Sequence, residues 1–147
     1  MIRIATHDDI PEIVKIGRLM HDESPYWSAF KYSEERTAAT LKRVIDCEMP
    51  GIAVVYERAG KIVGGLIAVA VTHWACDMNQ ACDLGLFVVP EHRGRCVSVA
   101  LVREYIRWCK EVGAECTIGI STGVDEARTE KLFELCGGTR GGSLWRF

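Results

Sequence analysis

The stretch Asp83–Leu101, DLGLFVVPEHRGRCVSVAL, decides how this chain folds. Its apolar run up to Val89 reads as a buried strand, and Pro90 stops it because proline offers no N–H to a ladder. His92-Arg93-Gly94-Arg95 makes a short basic turn, and an apolar helix follows. A strand that feeds a helix through a basic, glycine-containing turn can bind an anion. The first helical N–H groups have no intrahelical partners, and the helix dipole adds partial positive charge there. Arg93 and Arg95 would stand beside those donors, so the segment predicts a docking point for something phosphorylated. A solvated surface turn is the blander reading.

The segment sits in a chain of 147 residues with a net charge of −2 and seven cysteines. That length is most simply one domain, residues 1–147, with a substantial core. The charge balance argues against nucleic-acid binding, which needs a basic excess. The N-terminus, MIRIATHDDI, has no apolar core of signal-peptide length. The longest apolar run, Ile62 to Val71, is too short to span a bilayer. The expectation is a cytoplasmic protein with no membrane partner. The odd cysteine count, the lack of a C-x-x-C pair and the apolar neighbours of most cysteines read as reduced structural thiols.

Working outward, Ile2–Ala5 reads as a short strand. Thr6-His7-Asp8-Asp9 is a variant of the capping box, with Pro11 in the first turn of a helix. Ile10, Ile13, Val14 and Met20 keep the helical period, and His21-Asp22-Glu23-Ser24-Pro25 breaks it. Tyr26, Trp27, Phe30 and Tyr32 crowd the loop beyond. Ser33-Glu34-Glu35 opens a second helix, with Ala38, Leu41, Val44 and Ile45 on one face and Pro50-Gly51 as its stop. Ile52–Glu57 and Ile62–Val71 flank a tight turn and read as a hairpin. A polar connection, Asp77–Gln80, leads to the strand Cys82–Val89. The helix after the basic turn is apolar on most of its surface from Val97 to Val112, so it lies deep against a sheet. Gly113, a strand Glu115–Ser121, a helix Asp125–Cys136 closed by Gly137-Gly138, and a last strand Ser143–Phe147 complete the chain. The predicted order is β-α-α-β-β-β-α-β-α-β, an α/β (α+β) chain.

That order, with a strand–Pro–x–x–Arg–Gly–x turn at its centre, resembles the GNAT superfamily of N-acetyltransferases over nearly the whole chain. The HDESP segment after the first helix is most similar to that of small phage-encoded and bacterial members. The resemblance implies a mixed, mostly antiparallel central sheet flanked by four helices. It also implies acetyl-CoA as cosubstrate, its pyrophosphate wrapped by Arg93-Gly94-Arg95-Cys96-Val97-Ser98. Cys96 and Ser98 stand where the family has glycine and a small residue. Phe87, Val88 and Val89 would pair their backbone with the pantetheine arm like an added strand. On the last helix Phe133 stands where many members carry a tyrosine that protonates the leaving thiolate.

The implied reaction is direct attack of a primary amine on the acetyl thioester in a ternary complex. It needs a neutral amine, a donor for the oxyanion and a fate for the thiolate. The backbone N–H of Val88 is the implied oxyanion donor. Asp83, expected at the head of the central strand and on one face with Gly85 and Phe87, is the candidate base. The alternative for Asp83 is a strand-end carboxylate in solvent. Tyr26, Trp27 and Phe30 either wall an acceptor pocket or cover the core. The acceptor is an amine-bearing small molecule or protein, and Asp22, Glu23, Glu34 and Glu35 would suit a cation. The final strand could pair two copies as a homodimer. His73, Cys76 and Cys82 lack an evident fourth ligand, so no metal is expected. The departures at Cys96, Glu126 and Phe133 motivate a second reading, a GNAT-fold binding or structural protein that kept the fold and lost the chemistry.

Overall fold

The computed structural model describes residues 1–94 and 96–146. Five strands, β1 (Ile2–Ile4), β2 (Gly51–Arg58), β3 (Lys61–Thr72), β4 (Asn79–Val88) and β5 (Ala114–Thr117), form one sheet in the order β1-β2-β3-β4-β5. The first four pair antiparallel, and β5 pairs parallel with β4. Helices α1 (Ile10–Glu23) and α2 (Glu34–Ile45) lie between β1 and β2 in sequence, α3 (Cys96–Glu111) carries the crossover from β4 to β5, and α4 (Glu126–Leu135) follows β5. The mixed, mostly antiparallel sheet with four helices is the architecture the sequence implies.

Alternation along β2 sorts the core into two layers. Ala53 and Val55 pack with Ile13, Val14, Leu41 and Val44 under α1 and α2. Ile52 and Val54 pack with Leu101, Tyr105 and Trp108 under α3. Both faces of the central strands are covered, which is why β3 reads as continuously apolar. The hairpin turn is Ala59-Gly60, both at positive φ (49° and 74°). That is the two-residue turn whose twist matches the strands.

The N-terminal reading of Thr6–Asp9 is physically specific. Asp9 Oδ2 accepts from the Thr6 N–H (2.8 Å) and hydroxyl (3.0 Å), while Arg3 forks onto the same carboxylate at 2.7 and 2.9 Å. Arg3 also donates to Glu57 at 2.8 Å, tying β1 to β2. The Arg3 guanidinium holds the Asp9 carboxyl well below its ordinary value, at about 2.

Several sequence boundaries move. α2 ends at Ile45, capped by Asp46 and released through Cys47 at φ 57°, so Pro50-Gly51 opens β2 instead of closing the helix. β4 begins at Asn79, because Asn79 and Gln80 pair with both Thr72–Val71 and Ala114–Glu115. β5 stops at Thr117, short of the predicted Ser121. The predicted last strand is absent from residues 143–146, and Phe147 lies outside the described residues.

Asp9 supplies a test of the N-terminal lock. Its lowered pKa contributes stability that is present above the unfolded value of 3.8 and lost as pH falls through about 2. Asp9→Asn is expected to cost about 1–2 kcal/mol at pH 7. Urea titrations of the two proteins should converge as pH is lowered from about 4 towards 2; a pH-independent difference would assign the effect to packing.

Candidate active site

The site begins where β4 and β5 part. Their pairing runs from Asn79↔Ala114 to Cys82↔Thr117 and then ends. Three bonds close it off. Thr117 Oγ1 donates to the Ala81 carbonyl (2.7 Å), the Tyr105 hydroxyl of α3 donates to the Thr117 carbonyl (2.7 Å), and Asp83 Oδ1 accepts from the Gly119 N–H (2.9 Å). Side chains thus take the groups that the next rung would have used. From Leu84 to Val88 the edge of β4 towards β5 has no strand beside it among the described residues.

The groups on that edge follow from the ladder with β3. The Val89 N–H donates to the Val63 carbonyl at 3.0 Å, and Phe87 is paired with Gly65. Antiparallel pairs alternate between residues that exchange hydrogen bonds and residues whose groups point away. Phe87 and Val89 therefore spend their N–H groups on β3, and the Val89 carbonyl also accepts from His92. Leu86 and Val88 turn their backbone groups to the open edge, and the Val88 carbonyl is already met there by Arg93 Nε at 2.9 Å. Of the three residues expected to offer backbone to a ligand, only Val88 does so. Leu86 joins it, a residue that sequence alone did not single out.

A bulge decides where Asp83 points. Ile67 faces Gly85 and Ala68 faces Asp83, so Leu84 is the extra residue. Before it, Ala81 packs on the α3 side; after it, Leu86 and Val88 do, while Phe87 is buried on the α1–α2 side over Gly65. The two-residue period that put Asp83 on one face with Phe87 is thus broken. Asp83 also lies inside β4 rather than at its head. Its carboxyl is half-buried at the parting point, and burial pushes its pKa up, opposed by the Gly119 N–H.

The basic turn also differs from expectation. Arg93 is not free for a phosphate: its guanidinium forks onto Glu23, the last residue of α1, at 2.5 and 2.6 Å. With the Val88 bond it clips α1 to the end of β4, and it holds the Glu23 carboxyl below its ordinary value. Arg95 lies outside the described residues. Gly94 takes the positive φ of the turn, 75°, and a Cβ there would run into the Arg128 guanidinium from α4. Cys96 is the first residue of α3. It is exposed, with Sγ 3.9 Å from the Tyr56 hydroxyl. Val97 is buried in the α3 core layer and Ser98 half-buried, so both offer the loop their amides. Arg128 is the cation that residue spacing missed, since nothing in the sequence relates positions 94 and 128.

The aromatic loop is fixed by one buried hydroxyl. Ser24 Oγ donates to the Thr122 carbonyl (2.5 Å) and accepts from the Tyr26 (3.3 Å) and Trp27 (3.1 Å) N–H groups. It locks the α1–α2 loop to the β5–α4 loop. Tyr26 lies against Gly123 and lines a cavity of about 380 Å³ with Ile120, Glu126 and the tail residues Leu144, Trp145 and Arg146. Tyr32 leaves the group, donating its hydroxyl to the Val14 carbonyl in α1. Phe30 is exposed, tilted against Trp27, and is absent from the cavity lining. Phe133 is half-buried on α4. No cluster of three His, Cys, Asp or Glu side chains fit for a metal occurs among the described residues.

A sheet parted at one end, with a helix N-terminus behind a basic turn below the gap, defines an acyltransferase-type fold. The chain belongs to the acetyltransferase (GNAT) family, whose model matches residues 16–137. A search of curated proteins returned no match. Among solved structures it is similar to an integron cassette protein from the mobile metagenome of Cole Harbour Salt Marsh (TM-score 0.79, 14% identity, 99% of this chain and 88% of that one). It is also similar to AAC(6')-Iy in complex with a CoA bisubstrate analogue (0.78, 16%, 100% and 95%). A third is an aminoglycoside acetyltransferase from an uncultured soil sample in complex with sisomicin (0.74, 17%, 100% and 93%). At these identities the likeness is one of fold.

The Arg93 clip is testable. Glu23→Gln should lower the midpoint of thermal unfolding by roughly 3 °C, as expected of about 1 kcal/mol in a chain of this size. Arg93→Lys should do the same, because a lysine cannot fork onto Glu23 and reach Val88 together. Calorimetry of the two variants reads this directly, and an unchanged midpoint in both would reduce the clip to a surface ion pair.

Proposed function

We propose that the protein moves an acetyl group from acetyl-CoA to a primary amine by direct attack in a ternary complex. One observation carries this reading: the unpaired edge of β4, with Leu86 and Val88 facing outward, runs directly into the Gly94 turn and the N-terminus of α3. An extended ligand arm can add to that edge while its anionic end meets the helix amides. The residues present fit such a ligand. Gly94 takes the positive φ of the turn, and Arg128 places its guanidinium against it as a cation in place of the committed Arg93. Acetyl-CoA, when bound, supplies the activated acyl group; the chain supplies position, an oxyanion donor and a base.

The donor is the N–H of Val88 or Leu86, held by the β3 ladder and needing no reorganisation to act. The base is Asp83. A carboxylate with a raised pKa is better matched to drawing a proton from an ammonium through water than an ordinary aspartate. The structural neighbours include aminoglycoside acetyltransferases, which supports an acceptor rich in amino groups.

A second reading, a family member that binds and does not turn over, is favoured by Phe133, which has no hydroxyl to give the leaving thiolate. Two measurements separate them. Isothermal titration should show acetyl-CoA binding, and no heat at millimolar ligand overturns both readings. Steady release of CoA thiol with a panel of di- and polyamines supports transfer, whereas binding without release supports the second reading.

For the base, kcat/KM should rise with pH through the raised Asp83 ionisation. Asp83→Asn should lower it by about 10²-fold or more and remove that limb. An unchanged pH–rate profile would remove Asp83 from the mechanism.

A further inference from the structure

The strongest unexplained feature lies in the cavity between the aromatic loop and the tail. The Arg146 guanidinium stands 4.5 Å from the centre of the Tyr26 ring and 4.8 Å from that of Trp27. It also donates to the Ser121 carbonyl. Glu126 lines the same cavity. Two ring faces, a backbone carbonyl and a carboxylate are the chemistry that holds an organic cation. Arg146 reaches the two rings and the Ser121 carbonyl from an exposed tail with no regular structure, where Trp145 is 79% exposed. The tail therefore has little packing to anchor it beyond these contacts.

We infer that Tyr26, Trp27, the Ser121 carbonyl and Glu126 form a binding subsite for a charged amino group of a small polyamine, and that Arg146 is its internal occupant. The inference rests on the acetyl-transfer reading only for which end of the ligand reacts. Ser121 is two residues beyond Gly119, whose N–H meets Asp83. Two extended residues span at most about 7 Å. The backbone carbonyl of the box and the backbone amide that meets the base are thus two residues apart, a separation on the scale of one short aliphatic chain. The two places ask for opposite states of nitrogen. At Asp83 the attacking amine must lose its proton, while the aromatic box holds a nitrogen that keeps its charge. One ligand can satisfy both only if it carries at least two amino groups. A monoamine can fill either place but gains nothing from the other. Arg146 competes for the box because its guanidinium carries the same charge to the same ring faces, and it leaves when a tighter cation arrives.

Spermidine serves as the probe, titrated calorimetrically in the absence of acetyl-CoA, with butylamine as the monoamine control. Removing the occupant with Arg146→Ala should tighten spermidine binding by at least about threefold, the scale of one exposed cation–aromatic contact. Butylamine should show a smaller change. In the Arg146→Ala background, Trp27→Leu should abolish the gain and Trp27→Phe, which keeps a ring face, should retain much of it. Equal or weaker spermidine binding by Arg146→Ala, or a gain that survives Trp27→Leu, overturns the inference. A parallel titration of each variant with acetyl-CoA keeps the two readings apart. Intact acetyl-CoA binding with no spermidine effect sinks only the subsite. Spermidine binding that follows the expected order without acetyl-CoA binding leaves the subsite standing and sinks the transfer reading.

Discussion

The proposed function depends on the point where β4 and β5 separate. Backbone groups at a strand edge normally find a neighbouring strand, because leaving them unpaired and buried is costly. Here the ladder is ended deliberately. Tyr105 takes the last carbonyl of β5, Thr117 turns its hydroxyl onto β4, and Asp83 takes the Gly119 amide. Each bond replaces a rung without extending the sheet. Beyond them Leu86 and Val88 turn backbone groups to the open edge, where Arg93 takes the Val88 carbonyl. Tyr105 is fully buried beneath α3, so the wedge is anchored in the core rather than in a loop.

The bulge at Leu84 has a second consequence. By reversing which residues face α3, it lets Phe87 bury its ring on the α1–α2 side while Asp83 stays on the opposite side of the sheet. A regular strand would have forced one of the two into the wrong layer, placing either a carboxylate in the apolar core or a phenyl ring at the parting point. The bulge thus decouples the residue that stabilises the fold from the residue that faces the gap. Glu23 and Arg93 then fix the far end of β4 to α1, so the open edge is held at both ends.

These features differ in how legible they are in the sequence. The layers, the hairpin and the strand–turn–helix at its centre follow from periodicity and turn chemistry, since burial on both faces leaves a continuous apolar run. The bulge does not, because an inserted residue in an apolar strand leaves no mark in the pattern; Leu84 looks like any other strand leucine. Arg93 was legible as a cation beside a turn, yet its partner Glu23 is 70 residues away, and no local rule connects them. The same limit hid Arg128 over Gly94. The tail misled for a different reason: Leu144 and Trp145 have strand-like composition, but with no neighbouring strand they remain exposed. The positive φ of the turn falls at Gly94, two residues before Cys96, and the sequence alone did not say which position would carry it.

Phe133 need not decide whether the chain turns over. Two protons matter in acetyl transfer to an amine. A thiol of pKa about 8.5 leaves near neutral pH within about 1.5 units of its own ionisation, a handicap of about 2 kcal/mol without an acid. An alkylammonium of pKa about 10.4 must give up its proton about 3 units below its pKa, which costs roughly twice as much. The larger barrier is on the acceptor side, where the proposed base, Asp83, has its pKa raised by burial and opposed by hydrogen bonds from the Gly119 amide and its own backbone. A site built this way puts its demand on recruiting and deprotonating the amine. On the proposed reading the missing hydroxyl on α4 is the smaller loss, and the geometry around Asp83 and the aromatic loop carries the larger demand.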